Sequence, residues 1–308
     1  MASIDLFSEV FEFPDPYAEQ RYAALLGLDE VKERLVSEAV LLLDHDIAST
    51  WSERHHGMLI RAAEELASRP PLIILAGDVG TGKTELSETF ASEVTRRMKI
   101  EGTLYALSLS ARGQGAVGQM SSLIGDAFNT IADEAKAGYR DGRATKISIL
   151  LIDEGDALAQ SRESAQMHHE DRAGVNALIK GIDRLRSRKL PVLVILCTNR
   201  IGALDPAVRR RAAFTVELER PNEFQRTALF KALLSELELS EHDAKRLVSL
   251  TGHNEHRNYG YTYSDIRQRL VPEAVMLGIS RNMPLSIDIL TEAIDRVPPT
   301  RPFNEGGV

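Results

Sequence analysis

Residues Gly77-Asp-Val-Gly-Thr-Gly-Lys-Thr84 fill every fixed position of the pattern G-x-x-x-x-G-K-[S/T]. Before them runs Pro71-Leu-Ile-Ile-Leu-Ala76, a short apolar stretch that reads as a buried strand; after them Glu85 to Val94 has helical spacing. Strand, glycine loop and helix form the context in which such a loop wraps a phosphate chain. Glycine lets the backbone turn tightly enough for its N–H groups to face the anion, and the helix N-terminus adds partial positive charge. The residues expected to line such a site are Asp78, Val79, Gly80, Thr81, Gly82, Lys83, Thr84 and Glu85. Lys83 is placed to reach the β- and γ-phosphates, and the Thr84 hydroxyl to hold Mg²⁺. The sequence therefore predicts a nucleotide-binding protein.

At 308 residues the chain exceeds what one core needs, so two domains are expected. It is 27% charged with a formal net charge of −8, which argues against a surface devoted to nucleic acid, though not against a local basic channel. The single cysteine, Cys197, lies inside an apolar run and reads as a buried small hydrophobe. No signal peptide and no apolar stretch of membrane-spanning length is visible, so a soluble, reducing, cytoplasmic setting is expected.

Residues 1–20 are acidic and aromatic without periodicity and read as a leader arm, packed on a neighbour or loosely ordered. Helices are expected from Leu26 to Ala39 and from Met58 to Ala67, leading into the first strand. Gly102–Ser110, Ile147–Glu154, Leu190–Thr198 and Ala213–Leu218 read as further strands, with helices at Met120–Ala137 and Arg172–Arg186 between them. Apolar strands alternating with helices predict an α/β fold, a five-stranded parallel sheet covered on both faces. Beyond Pro221 the pattern is helical only, at about 223–237, 240–251, 263–277 and 286–296. That divides the chain into a nucleotide-binding domain, 1–221, an all-helical lid, 222–298, and a flexible tail, 299–308.

Asp153 and Glu154 close the strand beginning at Ile147, and the carboxyl ends of parallel strands are the ligand side of such a sheet. The first carboxylate is suited to the Mg²⁺ hydration shell, the second to polarising a water that attacks the γ-phosphate; strand-end acids capping the next helix are the plainer alternative. Asn199 ends the neighbouring strand, where a neutral donor can sense the γ-phosphate. In Asp205-Pro-Ala-Val-Arg-Arg-Arg-Ala212 three adjacent arginines crowd one segment. One of them is expected to reach nucleotide held by a neighbouring subunit; a solvated basic turn is the alternative. Gly113-Gln-Gly-Ala-Val-Gly118 matches a dinucleotide fingerprint but lacks the acidic residue that should follow, so it reads as a mobile loop presenting Ala116 and Val117. The histidines show no metal-ligand spacing.

These features together resemble an AAA+ ATPase over nearly the whole chain. The segments Leu151-Ile-Asp-Glu154, Glu170 to Leu185, Thr198-Asn-Arg200 and Arg211-Ala212 are more particularly similar to the pachytene-checkpoint (thyroid-receptor-interactor) family, which remodels HORMA-domain proteins. That resemblance implies a P-loop AAA+ fold with a helical lid, ATP and Mg²⁺ as cofactors, and a homo-hexameric ring. It makes Lys83 and Thr84 the P-loop pair, Asp153 and Glu154 the second motif, and Asn199 the first sensor. Arg211 becomes the trans-acting finger with Arg210 beside it, Ala116 and Val117 the pore loop, and Leu28 a nucleotide contact. The family's second-sensor arginine falls on Ser264, leaving Arg267, three residues on, as its candidate replacement. The N-terminal adaptor domain of eukaryotic members is missing, so the chain looks like the compact bacterial relatives that accompany HORMA and nucleotidyltransferase proteins in anti-phage signalling.

Two other functions stay open at this point. A nucleotide-gated binding switch fits the short side chains of the pore loop. A nucleic-acid clamp loader or helicase is opposed by the acidic balance.

Overall fold

The computed structural model describes residues 6–107, 119–140, 143–153, 155–157, 169–237, 240–255 and 257–303. The chain divides into two compact units: Met1–Ala23 with Glu30–Ala76 and Thr84–Glu217, and Ala24–Asp29 with Gly77–Lys83 and Leu218–Val308.

The first unit is built on a six-stranded sheet. Its elements are β1 (Glu9–Phe13), α1 (Pro16–Ala23), α2 (Asp29–Leu43), α3 (Ile47–His56), α4 (Arg61–Ala67), β2 (Leu72–Gly77), α5 (Lys83–Thr89), α6 (Ala91–Met98), β3 (Glu101–Leu107), α7 (Gln119–Ala137), the small hairpin β4 (Tyr139–Arg140) and β5 (Arg143–Ala144), β6 (Lys146–Ile152), α8 (His169–Arg188), β7 (Val192–Thr198), α9 (Pro206–Arg209) and β8 (Phe214–Leu218). Strand order is β1-β3-β6-β7-β2-β8. β3, β6, β7 and β2 run parallel, with Tyr105 opposite Leu150, Leu150 opposite Val194 and Leu72 opposite Val194. Every residue of β7 and all but the first of β6 are buried, as strands covered on both faces must be. Packed on one face are Ile124, Phe128 and Ile131 of α7 and Val175, Leu178 and Ile182 of α8, all essentially solvent-free.

The expected five strands are present, and the sheet has a sixth. β1 pairs antiparallel with β3, Phe11 opposite Leu104, so the leader is ordered on its own chain over Glu9–Phe13 and continues into α1. Phe13 is 3% exposed and the Phe7 ring lies 5.0 Å from that of Tyr105. Apolar anchoring of β1 covers what would otherwise be an open edge. The helix expected after the glycine loop is two, α5 and α6. The Thr89 hydroxyl donates to the Glu85 carbonyl at 2.6 Å, a bond back along the helix next to the break at Phe90.

The second unit contains α10 (Glu223–Leu233), α11 (Glu241–Thr251), a π-helical turn (Asp265–Leu270) continuing into α12 (Val271–Arg281), and α13 (Ile287–Arg296). Asn222 caps α10 through a reciprocal capping box with Gln225, each side chain bonding the other's backbone N–H. Leu229, Phe230, Leu247, Tyr261, Ile266, Leu290 and Ala293 form its core. The tail expected to be loose is fastened as far as Phe303. The Thr300 N–H and hydroxyl both donate to Asp265, and the Phe303 N–H donates to Asp78 at 3.2 Å. Among the described residues no helix is long and apolar enough to cross a membrane.

Candidate functional site

Parallel strands deliver their C-terminal residues to one edge of the sheet. Asp153 follows β6, Asn199 follows β7, and β7 lies between β6 and β2. In the first unit the Thr84 hydroxyl, on α5, donates to Asp153 Oδ2 at 3.1 Å. A hydroxyl beside a carboxylate is a pair of hard oxygen donors, the donor set that suits Mg²⁺ and its waters. Glu154 lies outside the described residues, as do Ala116 and Val117.

Asp156 was not singled out in the sequence, yet it sets the turn carrying Asn199. Its carboxylate accepts the Thr198 hydroxyl, the Asn199 N–H at 2.9 Å and the Arg200 N–H at 3.2 Å. Three donors on one carboxylate hold the end of β7 still and leave the Asn199 side chain to other work. The only signal in the sequence was an acid four residues past the end of β6, and nothing local marks it as the group that holds the end of β7.

Arg211 is bound within its own subunit. Its Nε and Nη2 donate to the two Asp183 oxygens at 2.8 and 2.9 Å, and its Nη1 to the Ala207 carbonyl at 3.0 Å. The guanidinium hydrogen-bonds hold the Asp183 carboxyl below the usual carboxylate range. Arg210 beside it is exposed. Glu85 and Glu88 of α5 share the guanidinium of Arg21, at 2.8 and 2.6 Å, so the Glu85 side chain is committed to α1.

The glycine loop belongs to the second unit. Gly80 has φ +79 and Gly82 φ +98, values at which side chains are strained. A Cβ on Gly80 would also sit 2.6 Å from Thr262 Oγ1. The loop is thus shaped around missing side chains, as a cradle for a polyanion requires. Lys83 is 8% exposed and donates to the Gly77 and Asp78 carbonyls, both at 2.8 Å, which places its ammonium against the loop's own backbone. Thr81 is fully buried and its hydroxyl donates to the Asp78 carbonyl. Val79 is 45% exposed.

The loop is fastened from residues that sequence reasoning did not connect to it. The Gly80 carbonyl accepts the Ser264 N–H at 3.1 Å. Asp78 Oδ2 accepts Nε (2.9 Å) and Nη2 of Arg220, whose Nη1 bonds the Gly260 carbonyl at 2.6 Å. Ser264, the position of the second sensor by resemblance, therefore meets the loop through its backbone. Arg267, its candidate replacement, donates to the Ala24 carbonyl at 3.0 Å. Leu28 is 5% exposed, in the same segment. Nearby, burial pushes the Tyr263 hydroxyl up to about 12.

Residues 73–222 match the AAA family, ATPases associated with various cellular activities. CD-NTase-associated protein 6 of Escherichia coli (strain MS 115-1) is 46% identical over 300 residues, covering 97% of this chain and 96% of that protein. A chain in the structure of the E. coli MS115-1 HORMA:CdnC:Trip13 complex superposes with a TM-score of 0.90 at 44% identity, covering 97% of this chain and 98% of its own. Rhizobiales Trip13 gives 0.75 at 37% identity, over 96% of this chain and all of that one.

Proposed function

This chain belongs to the family of the CD-NTase-associated proteins 6, AAA ATPases of the Trip13 kind, and on that premise we propose that it is a Mg²⁺-dependent, ATP-hydrolysing ring remodeller. Its partner is a HORMA-domain protein, and its setting is cytoplasmic anti-phage signalling through a nucleotidyltransferase. The observation that carries the catalytic part is the Thr84 hydroxyl against the Asp153 carboxylate, at the end of a buried strand and directly after the phosphate loop. The HORMA partner is supported by the likeness to a chain from a HORMA:CdnC:Trip13 complex.

Mg²⁺ bound at Thr84 and Asp153 would supply charge neutralisation on the β- and γ-phosphates. This chain's own groups do the rest. Lys83 exchanges its two backbone carbonyls for phosphate oxygens, so its ammonium is already placed and little ordering is left to do at binding. Glu154 accepts a proton from the attacking water, and Asn199 orients that water from the turn held by Asp156. Arg211, on giving up Asp183, supplies positive charge to a nucleotide held by the adjoining subunit.

Replacement of Glu154 by Gln is expected to lower ATP turnover by at least ~10²-fold, since a positioned base contributes about 10²–10⁴. The variant should hold ATP in a stable oligomer that retains a HORMA-domain protein. Turnover near the wild-type rate would remove Glu154 from the mechanism.

A further inference from the structure

The phosphate loop carries a carboxylate. Asp78 is the second residue of a loop that must accept a polyanion, and an uncompensated negative charge there opposes binding. Its compensation is specific. Nε and Nη2 of Arg220 both lie on Asp78 Oδ2, and the Arg220 and Asp78 side chains are only 13% and 17% exposed. Asp78 Oδ1 takes the Val79 N–H at 2.9 Å and the Phe303 N–H at 3.2 Å. Arg220 is itself fixed, by the Gly260 carbonyl and by the Tyr259 ring, whose centre is 5.0 Å from the guanidinium carbon.

We infer that Arg220 is the positioning residue that neutralises Asp78 and so sets the nucleotide affinity of the loop, more strongly for ATP than for ADP. The asymmetry follows from charge: ATP carries the additional phosphate and feels the bare carboxylate more. The fastening also gives the loop a sensor-like link to the segment Tyr259–Gly260 and to Phe303, neither of which needs to touch nucleotide. This inference rests on the reading of Gly77–Lys83 as the phosphate site.

The test is titration with fluorescent ATP and ADP analogues at low and high salt, alongside steady-state hydrolysis. Wild-type binding that is lost in Lys83→Ala establishes the phosphate site independently of Arg220; a wild-type protein that binds neither analogue refutes that underlying reading instead. Arg220→Gln is expected to weaken ATP binding roughly 10- to 100-fold, weaken ADP binding less, and raise KM with kcat nearly unchanged. The defect should shrink at high salt. Arg220→Lys, which keeps the charge, should retain most of the affinity. The decisive variant is the double replacement Asp78→Asn with Arg220→Gln, which removes the repelling carboxylate and should recover most of the loss. A purely structural Arg220 gives no such recovery, and either that result or unchanged ATP affinity in Arg220→Gln overturns the inference. Should Arg220→Gln fail to fold, Asp78→Asn alone decides: it leaves the Arg220 charge unopposed beside the loop, so tighter ATP binding sustains the inference, and equal or weaker binding overturns it.

Discussion

The two units hold their functional residues by different means. In the first, Asp153 and Asn199 hang from the ends of strands whose side chains are almost wholly buried; from Ile147 to Ile152 nothing is more than 1% exposed except Ser148 at 3%. Non-directional apolar packing fixes the strands, and position at the sheet edge follows from topology. In the second, the phosphate loop is a glycine-rich turn with little apolar surface, and directional bonds fasten it: Arg220 on Asp78, the Ser264 N–H on Gly80, the Phe303 N–H on Asp78. A strand can move its end residues only by breaking a core. A loop tied by polar contacts can be released by one protonation or one substitution, which suits a part that must respond to nucleotide.

The sharpest way to break this contrast is Asp265→Ala. Asp265 is 1% exposed. Its Oδ2 accepts the N–H groups of Thr262 and Thr300, and its Oδ1 the Thr300 hydroxyl and Arg269. Its own N–H donates to Thr262 Oγ1, completing a reciprocal pair at the start of the π-turn. Removing the carboxylate strands two backbone donors, while the half-exposed Arg269 keeps water and the Thr300 hydroxyl, at a cost of about 2–5 kcal/mol by urea denaturation. Nucleotide affinity should fall with it, because Thr262 and Ser264 face Gly80. A loss below about 1 kcal/mol would mean that apolar packing, not this network, holds the second unit. Burial alone would raise the pKa of Asp265, but the donors from Thr262, Thr300 and Arg269 outweigh it and hold the carboxyl below its usual range. The folded pKa is the lower one, so the contribution is complete above the unfolded value of about 3.9 and is lost as pH falls through the folded value. The stability difference between wild type and Asp265→Ala should therefore be alike at pH 7 and pH 5 and shrink only in stronger acid.

What the sequence made legible follows the same line. Strands β2, β6 and β7, their terminal residues and the capped start of α10 are all local patterns, and the structure places them within a few residues of expectation. β1 was missed because Glu9-Val-Phe-Glu-Phe13 is an edge strand with exposed carboxylates, too short and polar to stand out. α3, Ile47–His56, was missed because only Ala48 and Ser52 of its residues are buried, leaving little amphipathic signal. The polar fastenings of the loop were out of reach in principle: Asp78 meets Arg220 across 142 residues and Phe303 across 225. No spacing rule relates such pairs. Asp156 belongs with these, since it meets Thr198, Asn199 and Arg200 across 42 to 44 residues and is recognisable only once Asn199 has a fixed turn to explain.

A second substitution probes the apolar side of the comparison. Gly181, on α8, is where α7 approaches, and a Cβ there would lie 2.5–2.7 Å from the Phe128 ring carbons. Gly181→Ala should destabilise the first unit by about 1–2 kcal/mol, overpacking of about 1–3 kcal/mol being partly offset by the better helix propensity of alanine. Combining it with Phe128→Leu should restore part of the loss, and nucleotide affinity corrected for the unfolded fraction should stay unchanged. A change in intrinsic affinity would show that the packed core and the phosphate site are coupled more closely than the contrast allows.

The smallest effect on stability is expected at Asp183, where a polar fastening holds a residue of the first unit. The Asp183–Arg211 pair is bidentate but its side chains are 46% and 29% exposed, and a pair so placed contributes at most about 1 kcal/mol. Asp183→Asn should therefore barely move the urea midpoint. Its effect on turnover is the informative one, because it opposes that of Arg220. On the proposed roles, losing Arg220 exposes a charge that would repel nucleotide, whereas losing the Asp183 charge frees the Arg211 cation proposed to serve the adjoining subunit's nucleotide. If Asp183 competes for Arg211, ATPase activity per subunit at saturating ATP should be unchanged or rise by a few-fold. A tenfold fall with normal nucleotide binding would give Asp183 the opposite role, that of aiming the guanidinium rather than restraining it. Polar fastening would then be a means of precision in the first unit too, and the division between packed and tethered site residues would fail at this position.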